Sequence, residues 1–267
     1  MISVITVCFN EEAEIDRTLK SIYDQTYEDY EVVVKDGGSG DGTVEKAEKW
    51  RSRFEKKGIA FKLISGPDKG IYDGMNSGVE AAEGEFVNFM NAGDSFFSET
   101  VLKEIFENRD YGDADLIYGD AAEEEFGELH YFRKCPELIE SRMPFSHQSV
   151  FVKRELLLKY PFDLKYRIAA DYDFLLKLHD EGAEFKDSGV LVARVGKTGT
   201  SSLKLKETYL ETYRLWKSHG IRVPEGGELK RKLLWLDIKQ FGMDYFPKGL
   251  KYMIRKVQRT LRGQKRI

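Results

Sequence analysis

Cysteine is almost missing from this chain: Cys8 and Cys135 are the only two in 267 residues. One lies inside an apolar strand pattern and the other beside a proline, so neither a disulfide framework nor a cysteine-based zinc site is expected, and both read as structural. Long apolar runs are missing too. Nothing approaches the roughly 20 residues that span a bilayer, and no basic segment precedes an apolar one at the N-terminus, so neither a membrane span nor a signal peptide is expected. Those absences make residence in the cytoplasm the expectation. Internal repeats, low-complexity tracts and nucleic-acid recognition motifs are also lacking, and a nucleic-acid partner is not expected.

What is present is an uneven charge. The formal net charge of −4 hides a basic end: Leu229 to Ile267 holds 12 Lys/Arg against only Asp237 and Asp244, or +10, leaving −14 before it. An acidic body with a basic tail suggests a surface held to something anionic. Beyond Pro247, residues Leu250, Met253, Ile254, Val257 and Leu261 fall on one helical face, with Lys251, Arg255, Lys256, Arg259 and Arg262 mostly elsewhere. That pattern suits a helix lying in a membrane interface, at the inner face of the cell membrane; docking on its own domain or on a second subunit of a homo-oligomer is the alternative.

The length allows one large domain with an appendage, or two small ones, with a full core. The first half repeats a strand, turn and helix unit. Ile2 to Cys8, Tyr30 to Lys35 and Phe61 to Ile64 are short apolar strands, each followed by polar or glycine-rich residues and a helix. The helix from about Ile71 to Ala82 leads to a fourth strand, Glu85 to Met90, apolar enough to be covered on both faces. Such an order predicts a mostly parallel, helix-covered α/β sheet with right-handed crossovers. The loop Asp36 to Thr43 is glycine-rich, but its glycines at 38, 40 and 42 do not fit the dinucleotide spacing, and it follows the second strand rather than the first.

Ligands of open α/β sheets bind outside the carboxyl ends of the strands. Asn91-Ala92-Gly93-Asp94 follows the fourth strand directly, so Asp94 reads as a ligand-binding carboxylate or as part of a turn that starts the next helix. Asp171 and Asp173 stand in the first turn of an apolar helix, where carboxylates also favour the helix dipole, and at two residues apart only one faces a given site. His147 precedes a strand and reads equally as a buried histidine or as one that touches an acceptor. Gly196 to Ser202, with Lys197, is a loop of small residues able to act as a lid.

Six segments together resemble glycosyltransferase family 2, of the bacterial exopolysaccharide and colanic-acid type: ISVITVCFNEE, DGGSGDGT, GPDKGIYDGMNSGVEAAEGEF, FMNAGD, SHQSVF and AADYDFLLKL. The resemblance covers roughly Ile2 to His219. It implies the GT-A fold, a mostly parallel Rossmann-like sheet with helices on both faces, here as a domain over 1–220 with a basic helical appendage over 221–267. It implies inverting transfer from a nucleotide-diphosphate sugar to a hydroxyl of a glycan or lipid-linked acceptor. Val7, Asn10, Glu12 and Asp36 would then hold the base and ribose, and Asp73, Asn76 and Asn91 would lie around the donor. Asp94 would bind Mg²⁺ or Mn²⁺; it is the one acid left where many members have Asp-x-Asp. Asp171 would be the general base, although Ala170 replaces the family's usual preceding Glu. A sugar nucleotidyltransferase and a nucleotide-sugar-binding protein without turnover are the alternatives.

Overall fold

Strands β1 (Ile2–Cys8) and β2 (Tyr30–Asp36) are buried at every position, as expected of apolar runs covered on both faces. They pair in parallel from Ile2 opposite Tyr30 to Cys8 opposite Asp36. β3 (Ala60–Ser65) adds in parallel outside β2, and β4 (Phe86–Phe89) adds in parallel on the other side of β1. The crossovers carry α1 (Ile15–Tyr23), α2 (Thr43–Lys56) and α3 (Ile71–Ala81). Gly74 and Gly78, one helical turn apart on α3, let that helix sit tightly on β1. A Cβ at Gly78 would meet Ile5 Cγ2 at 2.6 Å, and one at Gly74 would meet Val7 Cγ1 at 2.8 Å. The structure is a computed structural model and describes residues 1–132, 134–196 and 204–261.

Beyond β4 the sheet turns antiparallel. β5 (Ser95–Phe96), β6 (Leu116–Glu125), β8 (Val150–Lys153) and β9 (Phe185–Gly196) complete the order β3-β2-β1-β4-β8-β6-β9-β5. β8 runs against β4, with Asn88 opposite Phe151. The start of β8 therefore lies beside the carboxyl end of β4, and the loop entering it arrives at the ligand-binding end of the sheet. Helices α4 (Val101–Phe106), α5 (Arg154–Lys159) and α6 (Ala170–Asp180) belong to this half. The α/β architecture expected from the sequence is present. Cys8 is buried in β1, where burial first, and then Asp36 and Glu11, push its thiol up to about 12. It stays protonated and structural.

By packing, the chain forms two units, residues 1–122 with 132–195, and residues 123–131 with 196–267. The second holds α7 (Leu205–Ser218), α8 (Gly226–Tyr245) and α9 (Lys248–Leu261), together with the end of β6 and β7 (Glu128–Phe132), which pair. Lys206 on α7 pairs with Asp237 on α8 at 2.8 Å, and Gln240 Oε1 accepts from the Leu205 N–H at 3.1 Å. On α9, Arg255 pairs with Glu125 at 3.4 Å and the Tyr252 hydroxyl reaches Glu128 at 3.3 Å. α8 lies in the stretch expected to be helical, but its apolar residues fall on two opposite faces and blur the period of 3.6, so the side by which it packs was not legible in the sequence. Among the described residues, no helix is long and apolar enough to cross a membrane.

Candidate active site

The carboxyl ends of β1 and β2 are tied to one another by their own polar groups. Asp36 is fully buried. Its carboxylate accepts from the N–H groups of Gly38 (3.0 Å) and Ser39 (3.1 Å), from Ser65 Oγ (2.7 Å) and from Ser39 Oγ. Burial alone would raise its pKa, but these donors, Ser39 and Ser65 foremost, outweigh it and hold the carboxyl below the usual aspartate range. Asn10 adopts a left-handed backbone (φ 55°); its side-chain oxygen accepts from the Gly40 N–H at 2.9 Å, and its own N–H donates to Ser39 Oγ at 2.8 Å. Glu12 accepts from the Gly42 N–H at 3.2 Å, and its N–H donates to Asp41. Val7 turns its side chain into the contact with α3, while its carbonyl accepts from the Ala92 N–H at 3.2 Å.

In the first turn of α3, Asp73 reaches back and accepts from the Lys69 N–H at 2.8 Å, just before the helix begins, as the third-position acid of a capping box does. Asn76 spends both ends of its amide on the backbone of Phe162, donating to the carbonyl at 3.0 Å and accepting from the N–H at 2.9 Å. Lys35, buried at the end of β2, donates to the Gly66 carbonyl at 2.7 Å and pairs with Asp68 at 3.6 Å.

A second set of groups meets where β4 ends, β8 begins and α6 starts. The Asn91 to Asp94 turn is clamped by Thr18 of α1, whose hydroxyl donates to the Asp94 carbonyl at 2.7 Å and accepts from the Gly93 N–H at 3.0 Å. Asp94 Oδ2 accepts from Gln148 Nε2 at 2.6 Å. Next to Gln148, His147 Nε2 lies 3.2 Å from Asn91 Nδ2, and its Nδ1 lies 3.6 Å from Asp171 Oδ2. Asp171 Oδ1 accepts from the Tyr72 hydroxyl and from the Tyr172 N–H, both at 2.9 Å. One short turn, His147–Ser149, thus bridges Asn91 and Asp94 to Asp171. The Asp171 side chain remains 19% exposed, which a base that must meet a substrate requires. Asp173, two residues on, is buried and pairs with Lys177 at 2.6 Å on its own helix. His147 and Asp171 share the lining of an apolar recess with Phe89, Met143, Phe162 and Phe174 among others.

No cluster of three or more His, Cys, Asp or Glu stands ready for a metal among the described residues. A hard divalent cation could still find oxygen donors here. Asn91 Oδ1 is buried without a hydrogen-bond partner, and it stands in the same turn as the Asp94 carboxylate. The field is also negative: the Glu11 carboxyl is held above its usual range, first by burial and then by Glu14, Asp41 and Asp94. Such a field would repel a diphosphate unless a cation came with it. The bridge through Tyr72, His147 and Gln148 was not assigned from the sequence, although SHQ at the entrance to a strand was its available sign. The Lys35 and Asp68 pair was missed as well, and a lysine inside an apolar strand could have signalled it. Of the small-residue loop Gly196 to Ser202, Gly196 ends β9, and Lys197 to Ser202 lie outside the described residues.

The model of "Glycosyl transferase family 2" matches residues 3–167. A PGL/p-HBAD biosynthesis glycosyltransferase of Mycobacterium bovis (strain BCG / Pasteur 1173P2) is 32% identical over 183 residues, 66% of this chain and 69% of that protein. Among solved structures, S. aureus TarS 1-349 in complex with UDP-GlcNAc superimposes with a TM-score of 0.65 at 21% identity, over 91% of this chain and 72% of that one. A mannosyltransferase, PcManGT from Pyrobaculum calidifontis, in complex with GDP-Man and Mn²⁺, gives 0.64 at 20% identity, over 90% and 69%. At that identity the structural likeness speaks for the fold, which is of the GT-A type.

Proposed function

This chain belongs to glycosyl transferase family 2, and on that premise we propose that it moves a sugar from a nucleotide-diphosphate sugar to an acceptor hydroxyl with inversion at the anomeric carbon. The observation that carries the reading is the bridge from the β4 turn through His147 to Asp171. Asp171 is the general base. Tyr72 holds its Oδ1 by a hydrogen bond, so that Oδ2, facing His147, takes the proton of the attacking hydroxyl. Attack from the face opposite the leaving diphosphate is a single displacement and inverts the centre. Asp94 and the Asn91 amide oxygen are the groups that would hold Mg²⁺ or Mn²⁺. That ion, when bound, supplies Lewis-acid neutralisation of the leaving diphosphate.

The β1 and β2 loops form the nucleotide end of the site. Val7, Asn10, Glu12 and Asp36 act there mainly by shaping backbone, and Asp73 and Asn76 do the same at the start of α3. The domain over 1–220 is the transferase portion, the tail over 221–267 contacts the membrane, and the acceptor is a lipid-linked oligosaccharide of surface-polysaccharide synthesis.

A thermal-shift screen of UDP-, GDP-, dTDP- and CMP-sugars, with and without Mn²⁺, tests the donor end of this reading on wild type and Asp94→Ala. A ligand bound at 100 times its Kd stabilises the native state by about 2.7 kcal/mol. The expected result is one nucleotide class that raises the midpoint only with metal, and a loss of that rise in Asp94→Ala. A rise that ignores both metal and Asp94 removes Asp94 from the site.

A further inference from the structure

We propose that α8 is the element that inserts into an anionic bilayer, its outward apolar stripe lying in the interface with the stripe of α9. This rests on the peripheral-membrane part of the reading above and names the surface that makes the contact. On α8, Leu234, Ile238, Phe241 and Tyr245 recur at spacings of four, three and four, so they share one side of the helix. All four are 59–73% exposed. Leu236, on the opposite side, is buried, and Leu229, Leu233, Gln240 and Met243 beside it are partly covered. The covered side thus already satisfies the packing of the unit, and the outward stripe has no part in it.

The chemistry of that stripe is interfacial. Phe241 and Tyr245 pack their rings at 4.7 Å, and Trp235, half exposed, has Lys232 and Lys239 at 5.2 and 5.1 Å over its ring. Aromatic rings with lysine beside them suit the level of lipid headgroups, where the ring sits among apolar chains and the ammonium reaches the phosphates. α9 repeats the arrangement. Leu250, Met253, Ile254 and Val257 are exposed, while Tyr252 and Arg255 are turned to the hairpin through Glu128 and Glu125.

Charge chooses the occupant. Residues 229–267 carry +10, and their two acids are already engaged, Asp237 with Lys206 and Asp244 with Gln240. A two-fold interface between copies would set two such segments against each other, whereas an anionic leaflet supplies the opposite charge.

The test is flotation of the full-length chain with extruded vesicles of pure phosphatidylcholine and of phosphatidylcholine with phosphatidylglycerol. The expected result is flotation only with the anionic vesicles. A triple variant, Leu234→Ser with Ile238→Ser and Phe241→Ser, should bind them roughly 100-fold less while keeping its circular dichroism. Phe241→Ser alone, which exposes nothing new, should show a smaller loss and serves if the triple variant does not fold. Equal flotation of wild type and variants would overturn the proposal, as would failure of wild type to float, or a dimer in light scattering that the same substitutions dissolve. Donor-induced thermal shifts on the same samples report on the transferase reading separately.

Discussion

The two halves of the candidate site use the same residue types for different ends. Around β1 and β2, carboxylates and amides are consumed locally: Asp36 takes two backbone N–H groups and two serine hydroxyls, and Asn10 and Glu12 bind the glycine loop. Around β4, β8 and α6, the polar groups face one another across elements, and an oxygen of Asn91 is left without a partner. An acid at a strand end is therefore not one signal. Where the loop that follows is rich in glycine and serine, its N–H groups and hydroxyls, with Ser65 of β3, take up the acid. Where the acid is met by side chains from other elements, as Asp94 is by Gln148 and Asp171 by Tyr72 and His147, it stands at a junction that a substrate can reach.

The largest effect expected on this contrast is that of Asp171→Asn. Turnover should fall by about 10²–10⁴-fold, in the range of a lost general base, while donor binding is retained. Initial rates over an acceptor panel measure this, and wild-type rates would place Asp171 with the structural acids.

Asp36→Asn should behave in the opposite way, losing about 1–3 kcal/mol of stability while activity per folded molecule stays within a few-fold. Because the folded-state pKa of Asp36 is depressed, its contribution is present above the unfolded value, about 3.9, and is lost as pH falls through the folded one. The difference in melting point between wild type and variant should therefore be full at pH 7 and shrink below about pH 4. A difference that persists unchanged at low pH would mean that the variant acts through shape rather than charge.

The smallest effect is expected from Asn76→Ala, which removes two hydrogen bonds to Phe162 and should cost about 1 kcal/mol. Because Phe162 also lines the recess that Asp171 helps to line, acceptor KM should move more than donor KM. A larger change in donor KM would return Asn76 to the donor side and blur the division.

Much of this protein was legible in its residues. The continuous apolar runs of β1, β2 and β4, separated by helix-length segments, determined a parallel α/β half, because strands covered on both faces cannot alternate. The Asn91 to Asp94 turn and the first turn of α6 were located from local pattern alone. The basic, apolar-striped end was visible as well. What only the tertiary structure decided is which of these groups meet. β8 runs antiparallel to β4, and that reversal carries His147 and Gln148 to the end of β4, next to Asp94 and Asp171 although 54 residues part Gln148 from Asp94. The outward face of α8 was hidden for a related reason: a helix apolar on two sides has no single period to read until packing covers one of them. Local chemistry is written along the chain, but the partner of each polar group is set by strand order and direction, which depend on the whole fold.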